Sequence, residues 1–165
     1  MATLNELKQM LLKAQELLDS YDRPQMNKLY TVSVESLGTD ASPKDKAPDY
    51  LGCADTVTTL INKVLPQQRW TGSTSTYFLR KDLLESPYFR EVTDPQAGDV
   101  VISATGYGGK NGITHGHCGI YMGNGVIASN SSRTGKFDEN FTLYSWKRYY
   151  CDRGGYELKF FRLVD

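Results

Sequence analysis

The segment from Gly116 to Asn130, Gly-His-Cys-Gly-Ile-Tyr-Met-Gly-Asn-Gly-Val-Ile-Ala-Ser-Asn, constrains the fold of this chain more than any other. Two short apolar runs flank Gly123-Asn124-Gly125, and such a turn between such runs closes an antiparallel hairpin. Alternation within the first run puts His117, Gly119 and Tyr121 on one side of the strand, and Cys118, Ile120 and Met122 on the other. One of only two histidines therefore stands at the start of a strand. The apolar opposite face makes Cys118 a core residue.

Upstream of the hairpin the periodicity is helical. Leu4, Leu7, Leu11, Ala14 and Leu18 share one face over residues 4 to about 20, and Thr3 with Glu6 fits a capping box. The polar face mixes both signs of charge, which favours a helix packed on the domain over one lying on a membrane. Val34 to Pro48, rich in Ser, Gly, Asp, Pro and Lys, reads as an exposed loop. A second helix is predicted from Cys53 to Val64, with Val57, Leu60, Ile61 and Val64 apolar and Pro66 beyond its end. A third spans about Thr76 to Glu85. Strands are predicted at Val100–Ser103, Gly116–Met122, Val126–Asn130 and Glu157–Leu163. Helices first and an antiparallel sheet after them predict an α+β domain. The glycine-rich loop Ala104–Thr114 lacks the Gly-Lys-Ser/Thr of a phosphate-binding loop.

With 165 residues, 39% of them hydrophobic, the chain is expected to form one domain, with residues 1–47 as N-terminal helix and loop and 48–165 as the core. Lys plus Arg balance Asp plus Glu at 19 each, which leaves no basic field for nucleic acid or an anionic membrane. The three cysteines have no Cys-x-x-Cys spacing and no histidines at zinc-ligand distance, so neither a disulfide framework nor a metal site is expected. No cofactor is implied. The first residues lack a signal-peptide pattern and no run approaches a membrane span, so a monomer made in the cytoplasm is expected.

Cys53 falls in the first turn of its helix, where free backbone N–H groups and the helix dipole stabilise a thiolate and a later oxyanion. A thiolate, a nearby imidazole and a polar group orienting that imidazole are the parts of a thiol hydrolase. His117 is the expected base, with His115 in the preceding loop as the alternative. Ser129 and Asn130, on the neighbouring strand, both reach far enough to orient it, and Asn130 is chemically the better acceptor. Tyr50, three residues before Cys53, and Tyr107, in the glycine-rich loop, are candidates for the rim of a substrate cleft. Asp55, in the same helical turn as Cys53, is the third substrate-binding candidate.

Cys53 at a helix start, Gln96-Ala97-Gly98-Asp99-Val100-Val101, and then His117-Cys118-Gly119-Ile120-Tyr121-Met122-Gly123-Asn124-Gly125 resemble the papain-fold peptidoglycan hydrolases of the NlpC and CHAP type. The resemblance covers roughly residues 48 to 163. Gly52-Cys53-Ala54-Asp55 is closer to the Gly-x-Cys of CHAP members than to the Asp-Cys-Ser of NlpC members. Near Ala128 and Ser129 the chain lacks the NlpC histidine, which favours a CHAP-like Asn at position 130. The resemblance implies a cysteine peptidase or amidase that cleaves cell-wall peptide stems through a thioester acyl-enzyme, with Cys53 as nucleophile. Its partner would be bacterial peptidoglycan, and the compact form resembles a phage lysin or virion-associated enzyme delivered to the wall. The alternatives are an acyltransferase of the same fold and a non-catalytic wall- or protein-binding domain.

Overall fold

The computed structural model describes residues 1–20, 27–42, 52–65, 70 and 74–164. Helix α1 (Leu4–Ser20) begins at the expected capping box: Thr3 N–H donates to Glu6 Oε2 at 2.7 Å and Glu6 N–H to Thr3 Oγ1 at 3.2 Å. Contrary to the expectation that this helix packs on the domain, its apolar stripe is exposed. Leu4, Leu7 and Leu11 are 70, 52 and 71% exposed. Periodicity fixes which face of a helix is apolar; it does not supply the surface that covers it.

Helix α2 (Lys28–Ser36) takes up the first part of the stretch predicted as loop. Asn27 caps it, accepting from Leu29 N–H at 2.9 Å. Its buried serines are satisfied within the helix, because the hydroxyls of Ser33 and Ser36 donate to the carbonyls of Leu29 and Val32. Such back-bonding lets a polar sequence be helical and buried. Helices α3 (Cys53–Val64) and α4 (Thr76–Glu85) occupy their expected spans.

Six antiparallel strands follow: β1 (Phe89–Val92), β2 (Val100–Ser103), β3 (His117–Gly123), β4 (Val126–Asn130), β5 (Phe137–Thr142) and β6 (Lys159–Leu163). They are ordered β1-β6-β2-β3-β4-β5. The two strands absent from the sequence prediction, β1 and β5, are the two edges, whose Arg-Glu and Asp-Glu-Asn content keeps an edge soluble and hides its period. At the β3–β4 turn Asn124 and Gly125 have φ of 51° and 76°, as a tight hairpin requires.

The sheet is covered on both faces. On one side α2, α3 and α4 bury Leu29, Val57, Leu60, Ile61, Leu79 and Leu83 against Val100, Ile102, Cys118, Ile120 and Ala128. On the other, Val101, Tyr121, Ile127 and Phe160 meet Trp146 and Tyr150. The latter two come from helix α5 (Leu143–Trp146) and a π-helical segment (Lys147–Arg153). Alternation along β3 thus divides its residues between two cores, as the pattern predicts. The Gly-Asp signature serves the fold: buried Asp99 accepts from Arg162 Nε at 3.0 Å, from its Nη2 at 2.8 Å and from Gln96 N–H at 2.7 Å, tying β2 to β6. A bidentate pair of this kind holds register as well as energy.

The glycine-rich loop is pinned rather than free to fold over a ligand. Gly109 and Lys110 N–H both donate to Gly154 carbonyl, Asn111 Nδ2 to Arg153 carbonyl, and Tyr156 hydroxyl to Ile113 carbonyl. Tyr107 stacks on Tyr77 with ring centroids 6.1 Å apart, and the Arg80 guanidinium lies 3.7 Å from its ring centre. Arg80 is itself paired with Glu157 at 2.8 Å. Tyr107→Ala is therefore expected to lower thermal stability, by about 1–2 kcal/mol from lost ring and cation contacts, and to leave kcat/KM within twofold. A large kcat/KM loss with unchanged melting would return Tyr107 to the substrate.

Candidate functional site

Cys53, His117, Asn130 and Asn140 meet in one cavity of about 560 Å³. It opens where the start of α3 faces the start of β3 and the end of β4. Thr76, Thr105, Ser131, Phe141 and Tyr150 complete much of the wall, and among the described residues its lining contains no Asp, Glu, Lys or Arg.

Each functional side chain is placed by an element edge. Gly52 caps α3 without a side-chain hydrogen bond, so Cys53 enters in the first turn beside N–H groups that have no helical partner. His117 opens β3 and is held among rings: Trp146 stacks at 5.3 Å and Tyr150 at 5.7 Å, and Phe141 lies tilted at 5.7 Å between centroids. Trp146 is fully buried, its indole N–H donating to Ser103 Oγ at 3.0 Å. The imidazole is thus wedged in place, and burial pushes the Tyr150 phenol far above its ordinary range.

The cysteine thiols divide sharply. Cys53 is held well below the ordinary thiol value, first by a hydrogen bond from the Cys118 thiol, then by a hydrogen bond to His117 and its charge, against an opposing effect of burial. Cys118 is pushed well above it by burial and by the Cys53 sulfur, and burial raises Cys151. Cys118 is core, as expected, yet it also touches the thiolate. Strand alternation carries no sign of that contact.

His117 Nε2 lies 2.9 Å from Ser129 Oγ, and Ser129 Oγ donates to Asn140 Oδ1 at 2.7 Å. A serine hydroxyl has one proton. With that proton committed to Asn140, the histidine bond runs from Nε2–H to Ser129 Oγ, which leaves Nδ1 as the nitrogen that exchanges a proton at Cys53. Of the two candidate orienting residues, Ser129 therefore stands on His117 and Asn130 does not. Asn140, on the edge strand β5, is a site residue that sequence reasoning missed because β5 itself was not legible. His115 lines the same cavity. Asp55 is not at a substrate surface; it is 1% exposed and accepts from Ser42 Oγ at 2.6 Å. Tyr107 does not line the cavity that holds Cys53, and Tyr50 lies outside the described residues. Among the described residues no cluster of three or more His, Cys, Asp or Glu could hold a metal ion, and no helix is long and apolar enough to cross a membrane.

Ser129→Ala removes the acceptor that fixes the tautomer. It is expected to lower kcat roughly 10–100-fold with KM nearly unchanged, less than the roughly 10²–10⁴ of losing the proton carrier itself. Asn140→Ala should lose less, and Asn140→Asp, which keeps an acceptor on Ser129, should recover most of it. Equal losses in Asn140→Ala and Asn140→Asp would disconnect Asn140 from the histidine.

Comparison with known proteins finds no matching protein-family model and no matching curated protein. Among the solved structures that resemble the fold is a chain of the type VI native effector–immunity complex Tae3–Tai3 from Ralstonia pickettii, at 16% identity and a TM-score of 0.50. The alignment covers 83% of this chain and 97% of that one. At that identity the likeness is one of fold, an α+β arrangement of helices on an antiparallel sheet.

Proposed function

We propose that this chain is a cysteine amidohydrolase of papain-like core that cleaves an amide bond in the peptide stems of bacterial peptidoglycan. The observation that carries the reading is that Cys53, its thiol held below the ordinary value, and His117 share one cavity, while the buried Ser129 hydroxyl holds the imidazole at Nε2. In the proposed reaction the Cys53 thiolate attacks the scissile carbonyl carbon and forms an Sγ–C bond, while the carbonyl π pair moves to oxygen. Collapse of that intermediate breaks the C–N bond. His117, protonated at Nδ1, gives its proton to the leaving amine, and the Sγ–acyl thioester remains. His117 then takes a proton from water as the water attacks the thioester, releasing the acid and regenerating the thiolate.

The similarity to a chain of a type VI effector–immunity complex supports a protein partner for this chain. The immunity member of such a pair would have no use for a lowered thiol beside a wedged histidine. An acyltransferase would share the dyad and pass the acyl group to an amine instead of water. Digestion of purified peptidoglycan followed by mass analysis of the fragments separates these readings. New amino and carboxyl ends support hydrolysis, an acylated amine supports transfer, and unaltered wall rejects both.

A further inference from the structure

Asn130 loses the histidine to Ser129, yet its side chain is 3% exposed and lines the same cavity as Cys53. Adjacent residues of a strand face opposite ways. Ser129 follows Ile127 toward the ring cluster around His117, and Asn130 follows Ala128 toward the start of α3. The Asn130 amide nitrogen there lies so close to Gly52 that a methyl group on that glycine would stand 3.1 Å from it, and 3.4 Å from Ser42 Oγ. Gly52 is the residue immediately before the nucleophile, so its missing side chain leaves room for the amide beside the start of α3.

We propose that the Asn130 side-chain NH2 and the backbone N–H of Cys53 together form the oxyanion hole, so that β4 supplies the histidine's acceptor from Ser129 and the oxyanion's donor from Asn130. The inference rests on the reading of Cys53 as an acyl-accepting nucleophile. When the Sγ–C bond forms, the carbonyl oxygen takes the π pair and becomes an alkoxide at the helix start. Two N–H donors pointed there in advance stabilise it without reorganisation. Asn130 is then a catalytic residue in its own right, touching the reacting oxygen, and has no hold on the thiolate's charge.

That distinction sets the experiment. Iodoacetamide alkylates Cys53 by displacing iodide and forms no oxyanion. p-Nitrophenyl acetate acylates it through a tetrahedral oxyanion and releases p-nitrophenolate. Both rates are measured on the full chain, with the labelled cysteine located by peptide mass. In Asn130→Ala and Asn130→Ser, acylation is expected to fall roughly 10²-fold, the scale of one lost oxyanion donor, while alkylation stays within twofold. In Ser129→Ala the two rates should fall together. The proposal is overturned if acylation in both Asn130 variants stays within threefold of the parent. It is equally overturned if alkylation falls in parallel with acylation, since Asn130 would then serve the thiolate or the fold. Neither reagent is a wall fragment, so inactivity toward peptidoglycan would reject the substrate reading without touching this result.

Discussion

Cys53→Ala is expected to abolish peptidoglycan hydrolysis, with the rate falling by several orders of magnitude because Cys53 is the only thiol among the described residues that line the cavity. The fold should survive. Cys53 is only partly buried at the start of α3, and alanine is a good helix former that adds no bulk. The change in stability should stay near about 1 kcal/mol, within the ordinary range of single substitutions. Circular dichroism and a thermal melt check the fold, and fragment release checks the activity. Cys118 and Cys151 give a built-in control, since both thiols are raised rather than lowered. Wild-type rates in a folded Cys53→Ala protein would end the reading of this chain as a thiol hydrolase.

What the sequence made legible is what local pattern determines. The β3–β4 hairpin, β2, α3 and α4 all emerge from turn chemistry, alternation and helical spacing, and the structure keeps their bounds to within a residue. Edge strands β1 and β5 escaped because an edge mixes charge with apolar residues, and α2 escaped because its serines bond backward into their own helix. The π-helical segment Lys147–Arg153, which brings Tyr150 to the cavity wall, has no period to read. Helix α1 was legible as a helix and illegible as a packing partner, because its burial is not a local property.

The choice between Ser129 and Asn130 is the instructive case. Paired residues in a sheet share a face, and continuing the register Ile120↔Ala128 by one step sets Ser129 across from Gly119, on His117's own side. The ideal Cβ position at Gly119 lies 3.0 Å from Ser129 Cβ, so a side chain there would crowd the serine. Hairpin arithmetic therefore puts Ser129 on the histidine's side, where its hydroxyl meets His117, whereas amide chemistry alone favours the residue after it. Asn140 had no comparable signal, since its place depends on β5.

The second large effect separates the roles of His117 and Cys118 by pH. In the parent, Cys53 is deprotonated down to a pH well below the ordinary thiol value, so activity is lost as pH falls through that lowered value. The first cause of the lowering is the Cys118 hydrogen bond. Cys118→Ala withdraws a donor to the thiolate, so the acid limb of kcat/KM should move to higher pH, while the plateau above it stays within severalfold. His117→Ala withdraws a hydrogen bond and a positive charge, so its limb should move the same way. It also removes the proton carrier, and its plateau should drop by roughly 10²–10⁴. His115→Ala should do neither. The pH dependence of iodoacetamide alkylation reads the limb independently of turnover. An unmoved limb in Cys118→Ala would mean that the buried thiol exerts no hold on the nucleophile, and a normal plateau in His117→Ala with a lost one in His115→Ala would transfer the role of base to the loop histidine.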